Sequence, residues 1–202
     1  MEASKPSTEE LILNAAQAVF LEKGIAGARM QEIADRASIN KALLHYYFRS
    51  KEKLASLVIN KTVGLLVPRM LAILEADLDL FAKIRQFASE YVTFISQHRF
   101  LPLFIINEVN RSPQFFFTAT LGHQQAGFVL FQQQVDAAIA AGRIRPISAN
   151  QLLINMMSML IFPFLGEPVF RAVLALSAAE FEAEMERRHT EVADFIIRAI
   201  EA

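Results

Sequence analysis

The stretch Ser38–Leu54, SINKALLHYYFRSKEKL, combines basic and aromatic side chains in an order that suggests binding chemistry. Four ring-bearing residues are consecutive at 45–48, with Lys41 before them and three basic residues within 49–53. Because a helix has about 3.6 residues per turn, four consecutive rings cannot all face a core, so some face outward. Lysine and arginine side chains bind phosphate oxygens. The stretch therefore indicates an exposed surface for a phosphate-bearing partner.

The charge of the chain is distributed unevenly. The 202 residues carry a formal net charge of −1. Residues 1–61 contain nine Lys/Arg against seven Asp/Glu, and residues 62–202 contain eleven against fourteen. Within 38–61 there are five basic residues and a single acid, Glu52. A local basic face on a slightly acidic body favours phosphate binding at one end, although an ordinary solvated helix face has the same charges.

The residues needed for most catalytic and metal sites are missing or unpaired. The chain has no cysteine, which excludes disulfides and thiolate metal sites. Its four histidines have no His-x-x-x-His spacing, and neither a glycine-rich phosphate loop nor a Gly-x-Ser-x-Gly elbow occurs. We therefore expect no enzymatic activity, no metal and no cofactor.

Helix signals dominate the chain, and strand signals are scarce. Ser7 with Glu10 forms a capping box, and two further caps are predicted at Ser148 and Ser177. The predicted fold is all-α, with a helix-turn-helix domain at 1–50 and a larger helical bundle at 51–202. About nine helices are expected: Ser7 to Gly24, Met30–Ala37, Lys41–Phe48, a long one from Ser50, Asp79–His98, Leu103–Asn110, Gln114–Ala141, and two beginning at Ser148 and Ser177.

The second and third predicted helices are joined by the short turn 38–40, which is typical of a helix-turn-helix. The second helix of such a pair lies in the major groove of DNA while the first supports it. Ile39, Leu44 and Phe48 share one inward face by their spacing. The remaining arc holds Lys41, Ala42, Leu43, His45 and Tyr46, with Tyr47 beside the inward stripe.

The segment from Thr8 to Lys61 resembles the DNA-binding domain of the TetR/AcrR family of transcriptional repressors. The pieces AAQAVFLEKG, QEIADRA and SINKALLHYYFRSKEKL occur in the order and spacing of that family. The resemblance implies a DNA-binding role for each matching position. Lys41 and Ala42 would open the recognition helix against the groove, His45 and Tyr46 would lie near base edges, Tyr47 and Lys51 would hold phosphates, and Gln31 would reach a base or backbone oxygen.

Two positions depart from the family pattern. Leu43 stands where the family usually has threonine, so a hydroxyl contact is replaced by apolar contact with a thymine methyl group. Arg29 and Met30 stand where a threonine or serine often caps the second helix and touches phosphate. The arginine would replace that contact by its charge, and the cap of the second helix stays open.

A dimer interface is predicted near the C-terminus. Residues 152–164 are apolar on nearly every side, and the last helix has an apolar stripe beside a charged face. We expect a homodimer in which both helices form a four-helix bundle, as TetR-like repressors do; an internal helical hairpin in a monomer is the alternative. The predicted interface residues are Met156, Leu160, Phe181, Met185, Val192 and Ile196.

A phenylalanine-rich zone between the two ends predicts a small-molecule pocket, although ordinary core packing explains many of these residues. The resemblance implies that an inducer binds among these helices and that the ligand is hydrophobic. Pro68 is a candidate bend in the preceding helix. The predicted ligand-binding residues are Tyr91, Phe94, Phe104, Asn107, Phe128 and Phe131.

Together these features predict a cytoplasmic, ligand-responsive repressor that binds a palindromic double-stranded DNA operator as a homodimer. A membrane span is not expected, because the most apolar stretch, 151–166, is shorter than the about 18 residues that a span needs. The alternative is a helical lipid- or protein-binding module without sequence-specific DNA recognition. Sequence-selective binding to a palindrome distinguishes the two.

Overall fold

The computed structural model describes residues 7–111 and 126–202, and within them the chain is all α-helical, as predicted. These residues form ten α-helices, and their β-structure is a single isolated bridge between Ile144 and Glu201. The chain divides into two compact units, the first ending at Gly64 and the second beginning at Leu65. The division falls inside the fourth helix rather than at residue 50, where the sequence places the domain boundary.

The N-terminal unit contains α1 (Thr8–Gly27), α2 (Met30–Arg36), α3 (Lys41–Tyr47) and the first part of α4 (Lys51–Glu75). The predicted capping box starts α1: the Ser7 backbone N–H donates to Glu10 Oε2 at 2.8 Å, and the Glu10 N–H donates to Ser7 Oγ at 3.2 Å. The regular part of α1 ends at Gly24, whose φ of 66° is accessible to glycine. Helix α2 packs against both α1 and α3.

The C-terminal unit contains the rest of α4 and six further helices. The bounds are α5 Leu80–Gln97, α6 Leu101–Arg111, α7 Ala126–Ala140, α8 Ala149–Leu165, α9 Glu167–Val173 and α10 Ala178–Ile200. Helix α5 packs along α10, and the seventeen-residue α8 contacts α5, α6, α7, α9 and α10. A backbone hydrogen bond of 2.7 Å from the Arg145 N–H to the Ile200 carbonyl connects the end of α10 to the loop before α8.

Two helices differ from the prediction. Helix α4 continues through Pro68, where a bend or an interruption was expected, so the helix is not interrupted there. Helix α9 was not predicted; it follows α8 after Gly166 at an angle of 76°. A Cβ at Gly166 would lie 3.2 Å from Phe170 Cε2, so the missing side chain allows this close approach. The first part of the predicted Gln114–Ala141 helix lies outside the described residues, and the remainder is α7.

Helix α4 is long and apolar enough to cross a membrane by length and composition, and the bent pair α8–α9 would meet the same criterion if taken as one span. In α4, 44% of the most apolar window is buried inside the protein. Burial of this kind is also found in the core helices of soluble proteins. Length and hydropathy alone are therefore weak indications of a membrane span here.

Candidate nucleic-acid interface

The turn between α2 and α3 is built from local interactions. Ser38 adopts a φ of 57°, in the left-handed region that non-glycine residues rarely enter. Helix α3 begins because Asn40 Oδ1 accepts a hydrogen bond of 2.8 Å from the Leu43 backbone N–H. This cap was not predicted, although asparagine directly before a helical segment is a strong N-cap signal.

One side of α3 is anchored in the core of the N-terminal unit. Leu44 is fully buried, and Phe48, which follows the helix, is 2% exposed. They join a core that includes Ile33 and Ala34 of α2. The predicted inward positions of Leu44 and Phe48 are confirmed, and Ile39 is half-buried. Packing thus fixes which side of α3 remains in solvent.

The opposite side forms an exposed surface, here called the α3 surface. Tyr46 is 80% exposed, and its ring meets that of Tyr47 edge to face, with centroids 5.6 Å apart. His45 is exposed as well, with Nδ1 3.4 Å from the Arg49 carbonyl oxygen. Solvent reaches six side chains on this surface: Lys41, Ala42, Leu43, His45, Tyr46 and Tyr47. Three of the four consecutive rings, those of His45, Tyr46 and Tyr47, are therefore exposed.

Cations near α3 differ from those on α1 and α2 in their partners. Lys23 pairs with Glu32 at 2.8 Å, and Arg36 pairs with Glu22 at 2.7 Å. Lys41, Arg49 and Lys53 are exposed, and none of the three makes a salt bridge within the described part of the chain. Unneutralised cations beside an exposed helix provide the electrostatic component of nucleic-acid binding.

Lys51 has a contact that the sequence did not reveal. Its Nζ donates hydrogen bonds of 3.1 Å to the carbonyl oxygens of Ala26 and Ala28, at the end of α1. These carbonyls lie more than twenty residues away in the chain, so local spacing gives no signal for the contact. The ammonium predicted to hold a phosphate thus connects α4 to the end of α1 in this structure.

The two predicted binding residues on or beside α2 are both exposed. Gln31 Nε2 donates to Asp35 Oδ1 at 2.7 Å, so its amide is engaged within the helix. Arg29 has no side-chain cap bond; instead, its backbone N–H donates to Glu32 Oε2 at 3.3 Å. Glu32 thus engages the backbone of residue 29 at the start of α2.

The predicted pocket residues lie mostly in the core of the C-terminal unit. Tyr91, Phe94 and Phe131 are buried and Phe128 is half-buried, whereas the side chains of Phe104 and Asn107 are outside those described. The Tyr91 ring stacks on Phe87 with centroids 6.3 Å apart, and burial raises the pKa of its phenol. These contacts are those of packed core residues, and a ligand would have to displace them.

The six predicted dimer-interface residues are all buried within one chain. Met156, Leu160, Phe181, Met185, Val192 and Ile196 are each 5% exposed or less. They join α8 and α10 to neighbouring helices, so their side chains are not available to a second chain. On the same part of the molecule, other large apolar side chains do reach solvent: Ile154, Phe162, Val169, Val173, Leu174 and Phe195.

Possible metal ligands are dispersed in the described part of the chain. Over residues 7–111 and 126–202, no three His, Cys, Asp or Glu side chains are grouped so that they could hold a metal ion.

Comparison with known proteins places the N-terminal unit. Residues 12–58 match the family model of bacterial regulatory proteins of the tetR family. The chain is 34% identical over 84 residues to the HTH-type transcriptional activator FasR of Mycolicibacterium smegmatis, a match covering 42% of this chain and 38% of FasR. It is 45% identical over 47 residues to the HTH-type transcriptional repressor NicS of Pseudomonas putida, covering 23% and 22%. Each match thus spans well under half of the curated relative.

The whole chain can be compared with solved structures. It aligns with the ketosteroid transcriptional regulator KstR2 of Mycobacterium tuberculosis at a TM-score of 0.67 and 15% identity, over 98% of this chain and 97% of KstR2. At that identity the likeness concerns the fold alone. Residues 12–58 thus match the TetR family of bacterial regulatory proteins, and the described helices adopt the fold of a solved transcriptional regulator.

Proposed function

We propose that this chain is a cytoplasmic transcriptional regulator that binds a near-palindromic DNA operator as a homodimer and is released by a hydrophobic small molecule. The observation that carries the proposal is the α3 surface, where exposed rings lie near cations that make no salt bridge with the described residues, in a segment that matches the TetR family. We assign it no enzymatic activity, metal or cofactor. Repression is the proposed outcome, and the curated relatives include one activator and one repressor.

In this proposal α3 enters the major groove, and the buried side chains of Leu44 and Phe48 anchor it to the core of the N-terminal unit. Lys41 and Ala42 approach first, because they lie at the start of the helix. His45 and Tyr46 project farther along the exposed side, where ring and hydroxyl groups can reach base edges. Leu43 supplies apolar contact for a thymine methyl group.

Phosphate binding is assigned to exposed cations that make no salt bridge in the described part of the chain. Arg29, Lys41, Arg49 and Lys53 are exposed, and each can release condensed counterions when it reaches a phosphate. Lys51 acts indirectly, since its ammonium already binds two carbonyl oxygens of the N-terminal unit. Gln31 and Tyr47 are secondary contacts, one engaged with Asp35 and the other partly covered.

Dimerisation is assigned to the exposed apolar side chains of α8, α9 and α10. Val173 is 76% exposed and Phe195 is 62% exposed, which is unfavourable in water unless another surface covers them. In a two-fold symmetric pair the same patch would serve both chains. Two copies of α3 would then meet half-sites about one helical turn apart, about 34–36 Å, which requires a near-palindromic operator.

Release by a ligand follows from linked equilibria. A small molecule lowers operator affinity only if it binds the released form of the dimer more tightly than the bound form. Equal operator affinity with and without a saturating ligand would contradict release by that ligand. The proposed DNA recognition would be unaffected.

The test is selection of genomic DNA fragments by the purified, ligand-free protein at about 150 mM salt, where surface charges act over about 8 Å. We expect enrichment of an inverted repeat, because a two-fold dimer presents two equivalent helices. Fragments enriched without a shared sequence would indicate binding to phosphate alone. No enrichment by a folded protein would favour a helical module that binds lipid or protein instead.

A further inference from the structure

The ring of Tyr47 lies between an exposed ring and a buried ring. Its centroid is 5.6 Å from that of Tyr46, at an interplanar angle of 89°, and 6.3 Å from that of Phe48, at 31°. Both distances are within the range of about 4.5–7 Å over which aromatic pairs attract each other. Tyr46 is exposed, Tyr47 is 39% exposed and Phe48 is buried. The three rings thus form a continuous series from the core of the N-terminal unit to the solvent.

The end of α3 makes this arrangement possible. On a helix, consecutive side chains point about 100° apart and do not normally face each other. The helix ends at Tyr47, and Phe48 follows it with a φ of −133° and a ψ of 94°. The Phe48 backbone N–H still donates a hydrogen bond of 2.8 Å to the Leu44 carbonyl oxygen, so this backbone is held in place. Because Phe48 has left the helical conformation, its ring enters the core and also lies beside Tyr47.

Support from Tyr47 matters because the Tyr46 side chain is mostly surrounded by solvent. An exposed tyrosine can occupy more than one χ1 rotamer, and ordering it when a partner binds costs conformational free energy. An edge-to-face contact favours the rotamer that makes it, in addition to the apolar area that it buries. A Tyr46 ring that Tyr47 already holds in the free protein therefore loses less freedom when it meets a base edge.

The hydroxyl group and the ring of Tyr47 imply different roles. The family resemblance implies a phosphate contact, which would use the hydroxyl group as a donor. Support of Tyr46 uses the ring alone. Phosphates can instead be held by the exposed Lys41 and Arg49, which have a charge that a tyrosine hydroxyl lacks. The ring contacts on both sides of Tyr47 therefore favour the supporting role.

We propose that Tyr47 is a positioning residue: its ring, backed by Phe48, holds Tyr46 in the orientation in which it meets the operator bases, and thereby sets sequence selectivity. The contact of Tyr46 with bases rests on the proposed function, whereas the support of Tyr46 in the free protein does not. Tyr47 then acts on DNA chiefly through Tyr46, and the secondary contact of its own hydroxyl group contributes less.

The first measurement uses the full chain without DNA. Since the chain has three tyrosines, nuclear magnetic resonance of tyrosine-labelled protein resolves each one, and the couplings between its α and β protons give its χ1 populations. We expect one dominant rotamer for Tyr46 in the native protein and averaged couplings in Tyr47→Leu, which keeps apolar bulk and removes the ring. Tyr47→Phe should restore the dominant rotamer. The buried Tyr91 is the internal reference and should not change.

The second measurement compares binding to the selected operator with binding to an unrelated duplex. Tyr47→Leu should weaken operator binding about two- to tenfold, the factor that corresponds to one aromatic contact. Binding to the unrelated duplex should change less, because phosphate contacts do not depend on the orientation of Tyr46. Tyr47→Phe should recover most of the lost operator affinity. When Tyr46→Ala is already present, Tyr47→Leu should cause little further loss, since the side chain to be positioned is gone.

Circular dichroism melting curves establish that each variant is folded, and Tyr47→Ala replaces Tyr47→Leu if the leucine variant is not. Operator binding by Tyr47→Phe as weak as that of Tyr47→Leu would overturn the inference and assign the hydroxyl group to a phosphate. An equal loss from Tyr47→Leu with and without Tyr46 would also overturn it, because Tyr47 would then contact DNA independently.

The two measurements separate this inference from the proposed function. Averaged Tyr46 couplings in Tyr47→Leu, without selection of any DNA sequence, would retain the support of Tyr46 and contradict the proposed function. Selection of an operator, with Tyr46 couplings that Tyr47→Leu leaves unchanged, would retain the proposed function and overturn the inference.

Discussion

The α3 surface and the α8–α10 region both expose apolar side chains, but their surroundings differ. On α3, Tyr46 and Tyr47 lie among the cations Lys41, Arg49 and Lys53, which lack salt bridges in the described part of the chain. On α8 and α10, residues such as Ile154 and Phe195 are exposed while their helices bury an apolar side within the chain. The first pattern suits a charged partner with water retained in the interface, and the second suits an apolar partner.

This difference explains why one region is identified from sequence more readily than the other. A phosphate-binding surface can be recognised from sequence when its cations are close together in the chain, as they are within 38–61. A helix that is apolar on several sides does not reveal which side faces its own core, a ligand or a second copy. Variants that separate these roles test the comparison.

The largest effects are expected at buried positions of both regions. Leu44→Ala in α3 and Ile196→Ala in α10 should each lower the free energy of unfolding by about 2–5 kcal/mol, because both leave cavities in the core. Urea denaturation followed by circular dichroism measures the change. If Ile196→Ala left stability unchanged and weakened self-association, the original assignment of Ile196 to a dimer interface would regain support.

Lys51→Met should be the next most damaging change, because it removes two hydrogen bonds to the carbonyl oxygens of Ala26 and Ala28. We expect a loss of about 1.5–3 kcal/mol in the free energy of unfolding, typical of hydrogen bonds to a charged group. Lys53→Met is the matched control, since its exposed side chain has no hydrogen bond or salt bridge in the described part of the chain. Equal stability of both variants would restore Lys51 as a phosphate contact.

Removing side chains of the α3 surface should affect DNA binding and leave folding intact. Lys41→Ala and Tyr46→Ala should each weaken operator binding by about 1–3 kcal/mol, with stability unchanged within about 0.5 kcal/mol. Fluorescence anisotropy with the selected DNA measures the affinity. Lys41→Ala should also reduce the salt dependence, by a slope of about one.

Lys23→Ala is the control for charge in the same unit, because that lysine pairs with Glu32 on the side of α1 and α2. Its operator affinity should match that of the native protein. A loss as large as that of Lys41→Ala would mean that net charge, rather than the α3 surface, determines binding.

Charged substitutions at exposed apolar positions should break the dimer. Phe195→Glu should weaken self-association at least tenfold, about 1.4 kcal/mol, while the helical content of each chain is retained. Sedimentation analysis across a range of protein concentrations measures the change. Gln133→Glu, on the exposed side of α7, is a control that should have no effect. Unchanged self-association of Phe195→Glu would mean that Phe195 stays exposed in the dimer and that other helices form the interface.

The smallest effects are expected at two capping boxes, one at the start of α1 in the N-terminal unit and one at the start of α10 in the C-terminal unit. Ser7→Ala and Ser177→Ala should each cost about 1 kcal/mol, because each removes the hydroxyl acceptor of a backbone N–H. Thermal unfolding by calorimetry measures the change. A much larger loss at Ser177 would show that the start of α10 supports more than its own helix.

The same caps predict a small dependence on pH. The hydrogen bond from the Ser7 backbone holds the pKa of Glu10 below its ordinary value of 4.5. The stabilisation is therefore complete above that value and is lost as the pH falls through the lowered pKa of the folded protein. The stability difference between the native chain and Glu10→Ala should shrink over that acidic interval, and a constant difference would contradict the assignment.

The sequence predicts interactions that are local and misses those that are distant. Leu44 and Phe48 were placed inward by spacing alone, and burial confirms both. The contact of Lys51 with Ala26 and Ala28 joins residues more than twenty positions apart, so no local pattern contains it. Met156 and Leu160 were assigned to an interface from their apolar surroundings, but the structure covers them with helices of the same chain.

The edge-to-face pair of Tyr46 and Tyr47 gives the protein an intrinsic spectroscopic signal. The chain has no tryptophan and three tyrosines, of which two are on α3 and the third is the buried Tyr91. Most of the phenol groups that emit light therefore lie on the proposed DNA surface. Their emission reports on the environment of α3 without an attached dye, and Tyr91 supplies a reference from the interior of the other unit.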